Sequence, residues 1–153
     1  MKVTFIGGGA LRHLAVIRGA LAKGIFGGGE INLHDLNVPR AEAMGRMIMK
    51  TPEYAKVRCK ITWGTTLDAA LDGADAVSVV LMAGSPRSFA LGNLASYHHA
   101  FVASDQISPN GAFLALKGGP ILMNIARKME RLCPAAWTCR FDGCIVSPVT
   151  IYF

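Results

Sequence analysis

A chain of 153 residues has room for one hydrophobic core, and with 52% hydrophobic and 17% charged residues it is expected to fold as a single domain. The net charge of +6 does not indicate nucleic-acid binding, because the basic residues are scattered and no aromatic residues alternate with them. No uncharged apolar run reaches the roughly 18 residues of a membrane span, and four cysteines without a CxxC pair favour a reducing, cytoplasmic location.

The first part of the chain alternates apolar runs with amphipathic segments. Val3–Ile6 predicts a buried strand that is followed by three glycines at 7–9. A helix is expected next, and Glu30–Leu36 then predicts a second strand and Arg40–Lys50 a second helix. The apolar stripe of the first helix is predicted to run through Leu11, Leu14, Ala15, Ile17 and Leu21.

The middle of the chain continues this alternation. Cys59–Trp63 predicts a third strand, and Thr66 is expected to cap a short helix over Leu67–Leu71. Ala76–Ala83 is a nearly unbroken apolar run of the kind found in parallel strands that are buried on both faces. Strands that alternate with helices predict an α/β fold, a doubly wound parallel sheet of the Rossmann type.

The pattern weakens after the fourth predicted strand. Gly84–Gly111 is expected to form a long loop with one irregular helix around Phe89–Phe101. Pro120 is predicted to open an amphipathic helix, followed by a fifth strand over Ala136–Phe141. The apolar stripe of that helix is predicted to comprise Ile121, Leu122, Ile125, Met129 and Leu132.

The glycine turn and an acidic residue suggest a nucleotide site. Gly7 and Gly9 join a buried strand to a helix, where the missing β-carbons allow a pyrophosphate to approach the helix N-terminus. Asp35 lies at the end of the predicted second strand, where a carboxylate can accept hydrogen bonds from an adenosine ribose and disfavour NADP. The third glycine of the fingerprint is replaced by Arg12. A glycine turn without a ligand, and an Asp35 that merely caps the next helix, are the alternatives.

Four segments carry a resemblance to a known family. They are MKVTFIGGGALR, EINLHDLNVPRAEAM, LDAALDGADAVSVVLMAGS and ISPNGAFLALKGGPILMNIARKMERLCPAAW. Together they resemble glycoside hydrolase family 4 from Met1 to about Trp137. The resemblance implies the fold of lactate and malate dehydrogenases, bound NAD, a divalent metal that is typically manganese, and hydrolysis of glycosides, many of them 6-phosphorylated. It also implies a redox-elimination mechanism in which NAD accepts a hydride from C3 of the sugar.

The resemblance also implies roles for individual residues. Asp35 matches the ribose-binding acid, and Arg87 and Asn110 fall where substrate contacts are expected. Asp105 matches a position proposed to protonate the leaving group in some α-specific members, with a loop residue that caps the backbone near Ser108 as the alternative. The cofactor-binding positions are Gly7, Gly9, Ala10 and Leu11 in the phosphate turn, and Ala83 and Gly84 beside the nicotinamide.

The sequence departs from the family in two segments. Its Gly-Pro-Gly-Gly turn is Ser108–Gly111 here, and its Asn-Tyr-Thr-Asn-Pro segment is replaced at residues 140–144. The family's metal-binding Cys and His and its catalytic Tyr find no match, so no metal ligand is assigned. We therefore expect an NAD-binding domain over residues 1–141, a divergent apolar tail over 142–153, no second domain for substrate and metal, and no glycosidase activity from this chain alone.

Other interpretations remain open. The chain could be an NAD-dependent dehydrogenase of the lactate or malate type, although no catalytic His with an Asp partner can be assigned. It could also be a non-catalytic nucleotide-binding or interaction module. His98 and His99 are candidate acids or bases, but a structural or exposed role is favoured. The apolar tail predicts self-association into a homo-oligomer, and a sugar or sugar phosphate is the expected substrate of the complete protein.

Overall fold

The computed structural model describes residues 1–104 and 108–140. Within these, residues 1–80 and 128–140 form one compact unit, and residues 81–104 and 108–127 form another. The parallel sheet predicted from the sequence lies wholly in the first unit. The second unit contains one complete helix and most of a longer one.

The described chain contains five strands and six helices, which alternate except where two helices follow one another, once after the second strand and once after the fourth. The strands are β1 (Lys2–Ile6), β2 (Glu30–His34), β3 (Lys60–Gly64), β4 (Ala76–Val79) and β5 (Trp137–Arg140). The helices are α1 (Leu11–Ala22), α2 (Val38–Met49), α3 (Pro52–Ala55), α4 (Leu67–Leu71), α5 (Pro86–His98) and α6 (Pro109–Leu132).

All strand pairs are parallel, in the order β3-β2-β1-β4-β5. The chain reaches the sheet at β1, builds outward to β3 and then crosses back to β4 on the other side of β1. This reversal makes the sheet doubly wound, as the sequence predicts, and it places a crevice at the carboxyl ends of the strands on either side of the reversal, where such sheets bind ligands. The turn after β1 and the residue after β2 lie at this edge of the sheet.

One face of the sheet forms the core of the first unit. Alternate strand residues point to the same face, so Phe5, Ile31 and Leu33 pack together and are at most 2% exposed. Ile17 and Leu21 of α1 complete this cluster, with further residues of α2. Five such side chains, each worth about 1.5–3 kcal/mol on burial, fix how α1 and α2 lie on β1 and β2.

Three predicted details of the first unit are wrong. The fourth strand ends at Val79 and not at Ala83, because its last ladder partner in β1 is Ile6. The second strand ends at His34, so Asp35 lies in the turn after it. The buried face of α1 carries His13, Ile17 and Leu21, whereas Leu11 is 70% exposed. The glycine turn sets the orientation of α1, so the spacing of hydrophobic residues alone could not predict which face of the helix is buried.

The loop predicted for residues 84–111 is too long, whereas the helix expected within it, around Phe89–Phe101, is present. A regular helix, α5, begins at Pro86, with Ser85 at its N-cap accepting a hydrogen bond from the backbone N–H of Ser88. Helix α6 begins at Pro109 and runs through Pro120, which was predicted to open it. Proline inside a helix costs about 3 kcal/mol.

A buried stripe explains why α6 runs through this proline. Its buried apolar residues begin before Pro120 and continue beyond it at helical spacing. Ile121, which the sequence assigned to this stripe, is 45% exposed. The buried members are Leu114, Ala115, Leu122, Ile125, Ala126 and Met129.

A search of the described residues finds no helix that is both long and apolar enough to cross a bilayer.

Two leucines that lie three residues apart test the core. Leu33 is fully buried and Leu36 is 88% exposed. We expect Leu33→Ala to lower the free energy of unfolding by about 2–5 kcal/mol through lost burial and a residual cavity, and Leu36→Ala to change it by less than about 0.5 kcal/mol. Urea unfolding followed by circular dichroism measures both. Equal effects would contradict the assigned register of β2.

Candidate functional site

The turn after β1 is held in a conformation that needs glycine at its first position. Gly7 has φ of +75°, a region that residues with a β-carbon rarely adopt. Its carbonyl accepts a hydrogen bond from the N–H of Ala10 at 2.9 Å, which closes the turn. The N–H of Gly8 donates to the carbonyl of His34 at 2.8 Å and ties the turn to the end of β2.

The next two glycines are required by close packing. A β-carbon on Gly8 would lie 2.8 Å from the Cα of Leu33. A β-carbon on Gly9 would lie 2.8 Å from the Cβ of Arg40 and 2.9 Å from Oδ2 of Asp35. A β-carbon essentially never lies this close to a non-bonded atom. The turn can therefore lie against β2 and α2 only because Gly8 and Gly9 lack β-carbons. The sequence analysis singled out Gly7 and Gly9 and missed the packing role of Gly8.

Asp35 connects the turn after β1 to the turn after β2. Its Oδ2 accepts a hydrogen bond from the N–H of Gly9 at 2.9 Å, and its Oδ1 accepts one from the N–H of Asn37 at 2.9 Å. Asn37 in turn caps α2 by accepting a hydrogen bond from the N–H of Arg40 at 3.2 Å. The carboxylate thus holds the residue that caps α2, whereas the cap itself is Asn37 and not Asp35. Carboxylate oxygens can each accept more than one hydrogen bond, so this role is compatible with a ribose contact.

Helix α1 begins directly after the glycine turn at residues 7–9. Ala10 occupies the N-cap position, and neither a side-chain cap nor an acidic residue in the first turn is present among the described residues there. The positive end of the helix dipole is consequently not neutralised by a carboxylate of that turn. A helix end of this kind, next to a glycine turn, suits a phosphate group.

His13 is a structural residue of this site. It is fully buried, its Nε2 lies 3.2 Å from Oγ of Ser78 in β4, and its ring meets Phe5 edge to face at 4.9 Å. Burial lowers its pKa to about 4, and the Gly7 backbone and the Asp35 carboxylate only partly oppose this. The histidine is therefore neutral at pH 7. A serine within an otherwise apolar strand was the one signal of its partner.

The predicted nicotinamide and substrate residues lie in the second unit. Ala83 is buried, and Gly84 has φ of +98°, which again favours glycine. Arg87 is exposed in the first turn of α5. In the same unit, Nζ of Lys117 donates a hydrogen bond to Oγ of Ser88 at 3.0 Å, so a second cationic group lies beside the residue that follows Arg87.

Asn110 is placed differently from a typical substrate contact. It is 1% exposed, and its Nδ2 donates to Oδ1 of Asn93 at 2.6 Å, joining α6 to α5. It borders a cavity of about 310 Å³ in the second unit whose wall is mostly apolar, with Leu91 and Phe113 among its residues. Its role toward substrate therefore stays a prediction. Asp105 lies outside the described residues.

No group of three or more His, Cys, Asp or Glu side chains that could hold a metal ion occurs in the described part of the chain. His13 and His34 are buried within the first unit, and His98 and His99 are exposed in the second. The free thiols of Cys59 and Cys133 have pKa values raised by burial, which disfavours the thiolate form that binds metals. The described residues thus contain a candidate nucleotide site and no cluster of three or more metal-ligating side chains.

Comparison with known proteins identifies the family. The family model described as family 4 glycosyl hydrolase matches residues 2–150, nearly the whole chain. The chain belongs to this family. Membership confirms the resemblance stated from the sequence, and it favours a glycosidase origin over the dehydrogenase alternative.

Two curated relatives show how much of the family this chain represents. It is 25% identical to an α-galacturonidase of Thermoanaerobacter italicus, with 94% of this chain and 31% of that protein aligned. It is 24% identical to a probable 6-phospho-β-glucosidase of Bacillus subtilis, with 94% of this chain and 33% of that protein aligned. The chain therefore spans about a third of the length of these relatives.

Solved structures confirm the fold. A 6-phospho-β-glucosidase from Thermotoga maritima with NAD and glucose-6-phosphate superposes with a TM-score of 0.81 at 17% identity, covering 92% of this chain and 33% of that one. A 6-phospho-α-glucosidase from gut microorganisms in complex with NAD and Mn²⁺ gives 0.78 at 15% identity, with 92% and 32% covered. A malate dehydrogenase from Archaeoglobus fulgidus in complex with NADH gives 0.61 at 19% identity, with 92% and 40% covered.

Burial of a neutral histidine predicts acid sensitivity. Because the folded-state pKa of His13 is about 4 and its ordinary value is 6.5, the unfolded chain binds more protons between these pH values. The contribution of His13 to the free energy of unfolding is fully present above pH 6.5 and is lost as the pH drops toward 4. This loss amounts to roughly 3 kcal/mol. His34, whose pKa burial also lowers, acts in the same direction.

Urea unfolding at several pH values between 4.5 and 7.5 measures this effect. His13→Gln should flatten the pH dependence by removing the largest titrating contribution, although it also perturbs the contact with Ser78. The exposed His98 provides the matched control, and His98→Gln should leave the wild-type profile unchanged. A profile that is unaltered in the His13 variant would contradict the assignment.

Proposed function

We propose that this chain is the NAD-binding part of a family 4 glycosidase, which hydrolyses the O-glycosidic bonds of sugars that include 6-phosphorylated ones. The observation that supports the proposal is the glycine turn after β1. Because its residues lack β-carbons, the turn packs closely against β2 and α2, and the N–H of Gly9 donates a hydrogen bond to Asp35. This geometry leaves the uncapped N-terminus of α1 for a pyrophosphate. Bound NAD would accept a hydride from the sugar, the oxidation that precedes elimination in this family.

The roles of this chain's residues follow from their places. The turn over Gly7 and Gly9, with Ala10 and Leu11, would hold the pyrophosphate, and Asp35 would accept hydrogen bonds from the adenosine ribose hydroxyls. Ala83 and Gly84 are proposed to lie beside the nicotinamide. Arg87 and Asn110 are proposed substrate contacts, and Asp105 a proton donor to the leaving group. An exposed guanidinium at the start of α5 supports an anionic substrate.

The substrate class is proposed from the relatives. One is named for a galacturonide and another for a 6-phosphoglucoside, so both act on sugars that carry an anionic group. Arg87 and Lys117 in the second unit provide cations that could face such a group. We accordingly propose an anionic sugar or sugar phosphate as the substrate of the complete protein.

Manganese does not fit the described residues. They hold no cluster of three or more metal-ligating side chains, so the ligands would have to come from outside the described part of the chain. No step of the reaction is therefore assigned to a metal here.

Cellular location and assembly belong to the same proposal. The free thiols of Cys59, Cys133 and Cys139 support a reducing, cytoplasmic compartment. Self-association was predicted from the apolar residues of 142–153, which lie outside the described residues. We retain the homo-oligomer and the assignment of residues 1–141 as the cofactor domain as proposals.

Direct binding tests the cofactor proposal. We expect calorimetric titration of the 153-residue chain to show NAD binding that is at least roughly tenfold tighter than NADP binding, because Asp35 repels the additional phosphate. Gly9→Ala should weaken NAD binding by roughly tenfold or more, since the new methyl group forces α2 away from the turn.

Gly19 of α1 provides the matched control for this substitution. A β-carbon there would meet nothing within 4 Å, so Gly19→Ala should leave NAD binding unchanged and stabilise the helix by up to about 1 kcal/mol. A folded wild-type chain that binds neither dinucleotide would refute the cofactor proposal.

A second test concerns turnover. We expect the purified chain, supplied with NAD, Mn²⁺ and a reductant, to release no nitrophenol from nitrophenyl glycosides or their 6-phosphates. The reason is the lack of a metal-ligating cluster in its described part. Steady release above that of a Gly9→Ala control preparation would show that the chain supplies its own metal ligands.

A further inference from the structure

A closed ring of hydrogen bonds joins the turn after β1 to the start of α2. The N–H of Gly9 donates to Asp35, the N–H of Asn37 donates to the same carboxylate, and the N–H of Arg40 donates to Asn37. Nη2 of Arg40 then returns to the carbonyl of Gly9 at 3.4 Å. The peptide groups on both sides of Gly9 are thus held by an acid and a base that lie five residues apart in the sequence.

The positive charge of Arg40 has no carboxylate partner among the described residues. Its side chain is exposed, and it forms no ion pair with any carboxylate of the described residues, unlike Arg18 and Arg46. Its hydrogen bond to Gly9 is longer than the usual 2.7–3.2 Å range and is therefore weak. The guanidinium can leave that carbonyl at small cost and take a stronger, charge-assisted partner.

We infer that Arg40 is a second determinant of cofactor choice, a cation that contacts the adenosine-ribose end of the dinucleotide beside Asp35. This inference rests on the proposed NAD function. It assigns opposite effects to two neighbouring residues: Asp35 repels a phosphate on the ribose 2′ oxygen, and Arg40 attracts it. Discrimination against NADP is then the difference between these two effects, and it is smaller than Asp35 alone would produce.

The geometry favours a role in specificity over one in packing alone. The packing contact with Gly9 is made by the Cβ and the carbonyl carbon of Arg40, which any residue with a β-carbon would provide. Only the guanidinium distinguishes arginine at this position. Because it binds the carbonyl of Gly9, whose N–H donates to Asp35, both charges lie at the same edge of the proposed site.

The experiment uses calorimetric titration of the full 153-residue chain with NAD and with NADP. Arg40→Gln should weaken NADP binding by roughly tenfold while NAD binding changes by less than about threefold, since only NADP carries the 2′-phosphate. Arg46→Gln removes a positive charge from the same helix, six residues further on, and should alter neither affinity. Thermal unfolding monitors the integrity of each variant.

A second pair of variants tests the opposition directly. Asp35→Asn should raise NADP affinity by roughly tenfold, and Arg40→Gln in that background should abolish the gain. An NADP gain that persists without Arg40, or equal losses for both dinucleotides in Arg40→Gln, would overturn the inference while leaving the NAD proposal intact. Failure of the wild-type chain to bind NAD would refute the proposed function and this inference with it.

Discussion

The close approach of a glycine turn to the neighbouring strand and helix is the constraint on which this structure depends. Three successive residues after β1 lack β-carbons, and the space that β-carbons would occupy is filled by Leu33, Asp35 and Arg40. This contact sets the entry angle of α1, and so decides which of its faces is buried. It also brings the carboxylate after β2 to the backbone of Gly9. The proposed cofactor site is consequently formed by the backbone that the fold itself requires.

A buried neutral histidine lies beside the turn and reinforces the same electrostatics. His13 sits in the first turns of α1, near the positive end of the helix, where a second positive charge would be unfavourable. Its hydrogen bond with Ser78 links α1 to β4 across the strand that carries the turn. Keeping His13 neutral and buried therefore serves the rigidity of α1. Because the imidazole is neutral, it adds no charge of its own behind the helix end.

Sequence patterns predicted the parts of this molecule that local rules control. Apolar runs predicted all five strands, and the glycine turn and Asp35 were found because a short motif encodes their backbone requirements. The errors arose where distant contacts decide. Pro120 reads as a helix start, but the buried stripe on both sides of it keeps α6 continuous. The partners of His13 and Asn110 lie 65 and 17 residues away, so no local pattern reveals them.

In the proposed site, the two hydrogen bonds of Asp35 would couple cofactor choice to stability. Each carboxylate oxygen already holds a backbone N–H, one in the phosphate turn and one at the start of α2. Any change of this residue that alters selectivity must also disturb two turns that the core depends on. The side chain of Arg40 does not have this double role. The backbone N–H of Arg40 makes the hydrogen bond to Asn37 at the start of α2, and the guanidinium is exposed. A change in cofactor preference is therefore less costly to the fold at Arg40 than at Asp35.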